Sequence, residues 1–191
     1  DGNIISYDAS GNPVAIATGN DGQILTSAGA GAPPAFEDAA GGSSRYFWAH
    51  HNDTGASQVL STGVHTKVTL STNIQSHSAF SDANDKWTAT ADDAGDWMFF
   101  GQVSFYSTGN NMDNPIANIA KNGTRSAGGY DWVWQSTDSV RHFTARCQAV
   151  LTIAENDYIE LYGMASSGGT LYVFGGDSSG YKQTQIMGFK L

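Results

Sequence analysis

Gly95-Asp96-Trp97-Met98-Phe99-Phe100-Gly101-Gln102-Val103-Ser104-Phe105 is the stretch on which the fold turns. Trp97, Phe99, Gly101, Val103 and Phe105 fall on one side of an extended chain, and Met98, Phe100, Gln102 and Ser104 on the other. A repeat of two is the signature of a strand with one face in the core. The same alternation returns at 143–153, where Phe143, Ala145, Cys147, Ala149, Leu151 and Ile153 interleave with Arg146, Gln148 and Thr152. Further strands are expected at 46–50, 64–70, 86–90, 115–121, 130–135, 158–163, 170–175 and 183–190. Turn pairs such as Asn110-Asn111, Asn122-Gly123 and Gly168-Gly169 separate them. No apolar stripe of helical period is sustained anywhere. About ten short strands at this spacing predict an all-β, antiparallel sandwich or barrel.

Composition changes near residue 44. Residues 1–44 hold five acids, no Lys or Arg, three of the four prolines and only two of the 22 aromatics. We read 1–44 as a stalk and linker segment and 45–191 as one head domain. In the first part, Ile4-Ile5-Ser6-Tyr7 and Val14-Ala15-Ile16-Ala17 flank a turn, Gln23-Ile24-Leu25-Thr26 forms a short strand, and 27–44 has the composition of a linker. Hairpins this small bury too little alone and call for copies of themselves. The chain starts at Asp1 without a signal-peptide pattern, and the expectation is a piece of a longer polypeptide.

The formal charge of −9 argues against nucleic acid, whose phosphates must be neutralised by Lys and Arg. No apolar run approaches the ~18 residues of a membrane span, so no membrane insertion is expected. Cys147 is the only cysteine, mid-strand and expected to be inert. His50, His51, His65, His77 and His142 are scattered, with no Gly-x-Ser-x-Gly elbow, and no catalytic residues are assigned: the expectation is a non-enzymatic chain. Adjacent His50 and His51 should point to opposite faces, one packed and one solvated.

Four motifs in order carry a resemblance. Gly95-Asp96-Trp97-Met98-Phe99, Ile119-Ala120-Lys121-Asn122-Gly123, Leu151-Thr152-Ile153-Ala154-Glu155-Asn156-Asp157-Tyr158-Ile159-Glu160-Leu161 and Ile186-Met187-Gly188-Phe189-Lys190-Leu191 resemble segments of the globular head of complement component one-q. That family shares its jelly roll with tumour necrosis factor. Asn156 stands where the family has glycine, and Phe80 and Trp87 match its upstream aromatics at tighter spacing. The resemblance implies a ten-stranded antiparallel jelly roll that forms homotrimers. In the leading part, Gly19-Asn20-Asp21-Gly22-Gln23-Ile24-Leu25-Thr26-Ser27 resembles modules of bacteriophage tail-fibre proteins.

Together these resemblances imply a virion tail-fibre tip, extracellular and distal, that binds a host cell-surface glycan or protein receptor. Its partners would be two further copies of itself and upstream fibre or virion proteins. A structural virion component, such as a head-decoration or fibre-assembly module, and a secreted bacterial lectin-like adhesin are the alternatives. Tyr130, Trp132 and Trp134 share one strand face and could stack on sugar rings, or else pack in the core or along a trimer seam. Asn110, Asp113 and Tyr181 are loop candidates for receptor contact. No cofactor is required. Asp82, Asp85, Asp92 and Asp93 are weak candidates for Ca²⁺, which prefers loop oxygens and which related heads sometimes hold; solvated turn acids would give the same pattern.

Overall fold

The computed structural model describes residues 3–29, 31–38, 45–51, 56–70, 72–75, 80–109, 112–125, 140–176 and 182–191. The chain divides into two compact units, Asp1–Ser43 and Ser44–Leu191.

The first unit consists of two hairpins. β1 (Ile4–Tyr7) pairs with β2 (Pro13–Ile16), and β3 (Gln23–Thr26) pairs with β4 (Ala35–Asp38). Strand β4 lies inside the stretch read as linker, a correction: Ala35-Phe36-Glu37-Asp38 finds a ladder partner that its flanking prolines and glycines concealed. The tail-fibre-like motif has a physical basis. Asn20 O accepts from Gln23 N at 3.1 Å, Gln23 Oε1 accepts from Asn20 N at 2.8 Å, and Gly22 takes a positive φ of 87°. Gly19 faces the Phe36 ring so closely that any Cβ would sit 2.6 Å from it.

The second unit is a sandwich. In chain order its strands are β5 (Tyr46–His50), β6 (Ala56–Leu60), β7 (Thr66–Lys67), β8 (Thr72–Gln75), β9 (Phe80–Ser81), β10 (Lys86–Thr88), β11 (Gly95–Ser107), β12 (Met112–Lys121), β13 (Thr124–Arg125), β14 (His142–Ile153), β15 (Tyr158–Ser167), β16 (Leu171–Phe174) and β17 (Gln185–Lys190). A seven-stranded sheet runs β6-β16-β11-β17-β5-β8, with β14 on the other side of β11; a six-stranded sheet runs β13-β12-β15-β10-β9, with β7 also on β15. All the pairings are antiparallel, and a single 3₁₀ turn, Ala91–Asp93, is the only helical element among the described residues. The expected strands at 46–50, 86–90, 97–105, 115–121, 143–153, 158–163, 170–175 and 183–190 are present. The one at 64–70 shrinks to β7, while β6, β8, β9 and β13 go beyond the expected set. The candidate at 130–135 lies outside the described residues.

The two sheets close over one apolar core. Phe47, Trp87, Trp97 and Phe99 are fully buried there, with Phe47 stacked on Trp87 at 5.1 Å and Trp87 4.6 Å from Trp97. Gly188 is obligatory, since a Cβ would lie 2.7 Å from both the Phe47 and Phe99 rings. Asn122 and Gly123, with φ of 54° and 74°, turn β12 into β13 as an Asn-Gly hairpin should. Asn156, at φ 67°, occupies the left-handed conformation that glycine adopts freely and asparagine tolerates.

Both ends of this unit's chain meet at one rim of the sandwich. Lys190 N donates to Arg45 O, Leu191 N donates to Asp96 O, and the turns at 122–123 and 154–157 are there too. Residues 61–64, 108–109 and 168–170 form the opposite rim, where Thr108 N bonds Thr170 O at 3.1 Å and Gly109 lies against Gly169.

Candidate functional site

Register alone lays out the outward face of the seven-stranded sheet in rows. Nearest the rim of the chain ends, Val150, Met98, Phe189 and Tyr46 lie side by side across β14, β11, β17 and β5. The next row is Gln148, Phe100, Met187 and Trp48. Phe100 stacks on Phe189 at 5.9 Å. Val150 is 58% exposed and Phe189 41%. At the opposite rim a second apolar band joins His142, Tyr106, Tyr172 and Val59, with Tyr106 stacked on Tyr172 at 6.1 Å and His142 edge-on to Phe174 at 5.2 Å.

Between the bands runs a polar belt of Arg146, Gln102, Gln185 and His50. It is tightly bonded. Gln102 Nε2 donates to Gln183 O at 3.0 Å, Ser104 Oγ to Gln183 Oε1 at 3.1 Å, and Trp48 Nε1 to Gln185 Oε1 at 2.6 Å. An apolar-polar-apolar face of this breadth on the outside of a sheet is what a subunit interface needs: large rings to desolvate, and satisfied polar groups to fix register. The signal was visible in sequence as Met98-x-Phe100, Met187-x-Phe189 and Tyr46-x-Trp48, apolar residues on strand faces that alternation assigns to water.

Of the candidate receptor residues, Tyr130, Trp132, Trp134, Asn110 and Tyr181 lie outside the described residues. Asp113 is placed on β12 opposite Ser166, half-buried at the rim away from the chain ends. The ladder shifts register between Asp113 and Ile116, and Asn114 there has φ 50°.

The candidate calcium ligands do not come together. Asp93 is fully buried and, with Asp92, grips Arg45 at 3.0 and 2.9 Å; Asp93 also accepts from Thr90 N and Oγ1. Asp85 accepts from Leu70 N, while Asp82 sits just past β9, ahead of the turn into β10. Among the described residues no three His, Cys, Asp or Glu side chains converge as a metal would require.

His50 and His51 correct the expectation of one packed and one solvated ring, because both are buried. His51 runs past the end of β5: its amide donates to Thr184 O, and its Nδ1–H donates to Thr69 O at 2.6 Å. His50 packs 5.3 Å from the Trp48 ring. Burial pushes the His50 pKa below that of a free imidazole, and burial together with the Arg125 charge does the same at His65. With folded pKa values below the unfolded ones, the unfolded chain takes up protons first. No penalty applies above about pH 6.5; it grows as pH falls from there and levels off beneath the folded values. The urea midpoint is therefore expected to fall between pH 8 and pH 5.5, and a His50→Gln/His65→Gln double variant to flatten that slope. Asp157, held at about 2 chiefly by hydrogen bonds from Lys121, Ala154 N and Asn122, loses its contribution only between about pH 4 and pH 2.

Two buried polar atoms on the outward face of the six-stranded sheet lack partners: His65 Nδ1 and Asn118 Nδ2; a third, Trp87 Nε1, is in the core. Each such group costs about 1–3 kcal/mol.

No protein-family model matches the chain, and no curated protein sequence does. Solved structures do match. Eiger, a TNF from S. frugiperda, shares 9% identity over 78% of this chain and 92% of its own, with a TM-score of 0.50. The globular domain of zebrafish complement 1qA shares 16% over 78% and 97%, with a TM-score of 0.46, and murine APRIL 13% over 78% and 99%, at 0.47. At such identities the likeness speaks to fold alone. The head is an all-β, antiparallel jelly-roll sandwich of the TNF-like type.

Proposed function

We propose that this chain is the receptor-binding tip of a bacteriophage tail fibre, acting as a homotrimer and without catalysis. The observation that carries the reading is the outward face of the seven-stranded sheet. Phe100, Phe189, Trp48, Met98, Met187 and Tyr46 would be poorly placed facing water and well placed facing another copy. The leading unit supports the fibre context, since its β3–β4 hairpin is built on the tail-fibre-like motif and leaves Ile24 and Leu25 exposed. Three heads on one stalk raise effective concentration, so weak contacts at each rim suffice for firm attachment to a host surface.

Sedimentation equilibrium should give about three times the 20.2 kDa chain mass. The labelled trimer should adsorb to susceptible bacterial cells and be competed off by their surface polysaccharide. A 20.2 kDa species at micromolar concentration would refute the assembly. A trimer that adsorbs to no cell, and that electron micrographs place on a capsid shell, would refute the attachment role.

A further inference from the structure

We propose that the outward face of the six-stranded sheet is a binding site for an anionic sugar, centred on Asn118 and Arg125. The chain has nine Lys and Arg against 18 acids, yet Lys67, Lys86 and Arg125 gather on this one face. Register places them in adjacent rows. Lys67, Tyr162 and Asn118 lie across β7, β15 and β12, and Glu160, Ala120 and Arg125 lie across β15, β12 and β13. Glu160 is already engaged, by Lys67 Nζ at 3.3 Å and by the Tyr162 hydroxyl at 3.3 Å.

What remains is a set of donors without acceptors. Asn118 is only 7% exposed, and its amide nitrogen has no hydrogen-bond partner. Arg125 is exposed, and its guanidinium makes no hydrogen bond or ion pair among the described residues. A ligand group that only accepts, a carboxylate or a sulfate, satisfies both. The Asn118 nitrogen is screened from solvent, so the acceptor reaches it when its half-exposed neighbour across the ladder, Tyr162, swings aside; Lys67, half-exposed on the far side of Tyr162, lends charge to the same row. Tyr158, with Lys86 Nζ 4.2 Å above its ring, adds an aromatic surface at the edge of the patch on which a pyranose can rest. A sugar carrying an acid group matches all three features; a neutral glycan can offer its hydroxyl oxygens to Asn118 and Arg125 but leaves the guanidinium charge uncompensated.

This site deepens the receptor-binding reading and rests on it only for the choice of a glycan. The full chain is titrated calorimetrically at about 0.15 M salt with a heparin hexasaccharide, an oligogalacturonate and a dextran oligosaccharide. Binding of either acidic probe, without dextran binding, is expected, and which one binds identifies sulfate or carboxylate. Arg125→Ala and Arg125→Glu should weaken it about tenfold or more. Asn118→Leu should weaken it too while leaving the melting temperature equal or higher, because an unpaired buried donor is removed. Lys190→Ala, at the rim of the chain ends, should bind as the parent does. Equal binding of dextran, unchanged affinity in the Arg125 variants, or an equal loss in Lys190→Ala would overturn the site. Mass measured on the same samples separates failure of the site from failure of the trimer.

Discussion

Trp97→Ala is expected to cost the head about 3–5 kcal/mol, a loss at the upper end for a single side chain. Trp97 is fully buried against Trp87 at 4.6 Å, Phe99 at 5.9 Å and Phe47 at 6.5 Å. Its truncation leaves a cavity between two sheets whose remaining rings are fixed by Gly188 beneath them. The indole nitrogen also donates to Asp93 O at 2.7 Å, so the variant strips a partner from the turn that clamps Arg45. Domains of this size hold only about 5–15 kcal/mol in total. Urea unfolding at fixed protein concentration should show the midpoint falling by a large fraction, or no cooperative transition at all. Trp97→Phe should recover most of the packing but not the hydrogen bond. A Trp97→Ala midpoint close to the parent's would contradict this core.

Phe100→Glu is expected to separate the subunits of the proposed trimer while leaving each one folded. Phe100 is half-exposed on the outward face of β11, so a carboxylate there costs the isolated head little. Within one chain the change removes only the ring that stacks on Phe189 at 5.9 Å, whereas between copies the same carboxylate would be taken out of water. A penalty of about 3–5 kcal/mol per contact weakens association by two orders of magnitude or more. Sedimentation at micromolar concentration should then report the single-chain mass, with an unchanged far-ultraviolet circular dichroism spectrum. Retention of the threefold mass would move the interface to a different face.

The sandwich was legible because its longest strands alternate cleanly. The odd positions of β11 from Trp97 to Phe105, and of β14 from Ala145 to Ile153, are apolar or glycine, and most of them are buried. What alternation could not disclose is the status of the outward faces. It assigns Met98 and Phe100 to water on the same grounds as Arg146, although the first two belong to an apolar band that only register assembles. It likewise gives no warning that Asn118 and Glu160, outward on the smaller sheet, are 7% exposed. The paired histidines failed for a related reason: His51 lies beyond its ladder, where Thr184 and Thr69 enclose it and two-fold alternation no longer applies. Strand β4 was hidden because a four-residue ladder leaves too short a pattern to outweigh Pro33-Pro34. The acids bracketing Trp87 read as a possible ion cage, yet Asp93 and Asp92 hold Arg45.

The meeting of both chain ends at one rim governs how the head bears tension. A pull arriving at Arg45, resisted by something held at the far rim, runs lengthwise along β5. Its rungs to β17, from Phe189↔Tyr46 to Gln185↔His50, are then loaded together in shear rather than unzipped one by one. The guanidinium rivet on Asp92 and Asp93 sits where that load enters, ahead of the first rung. Force entering at Arg45 must therefore break the whole β5–β17 ladder at once to open the head from that rim.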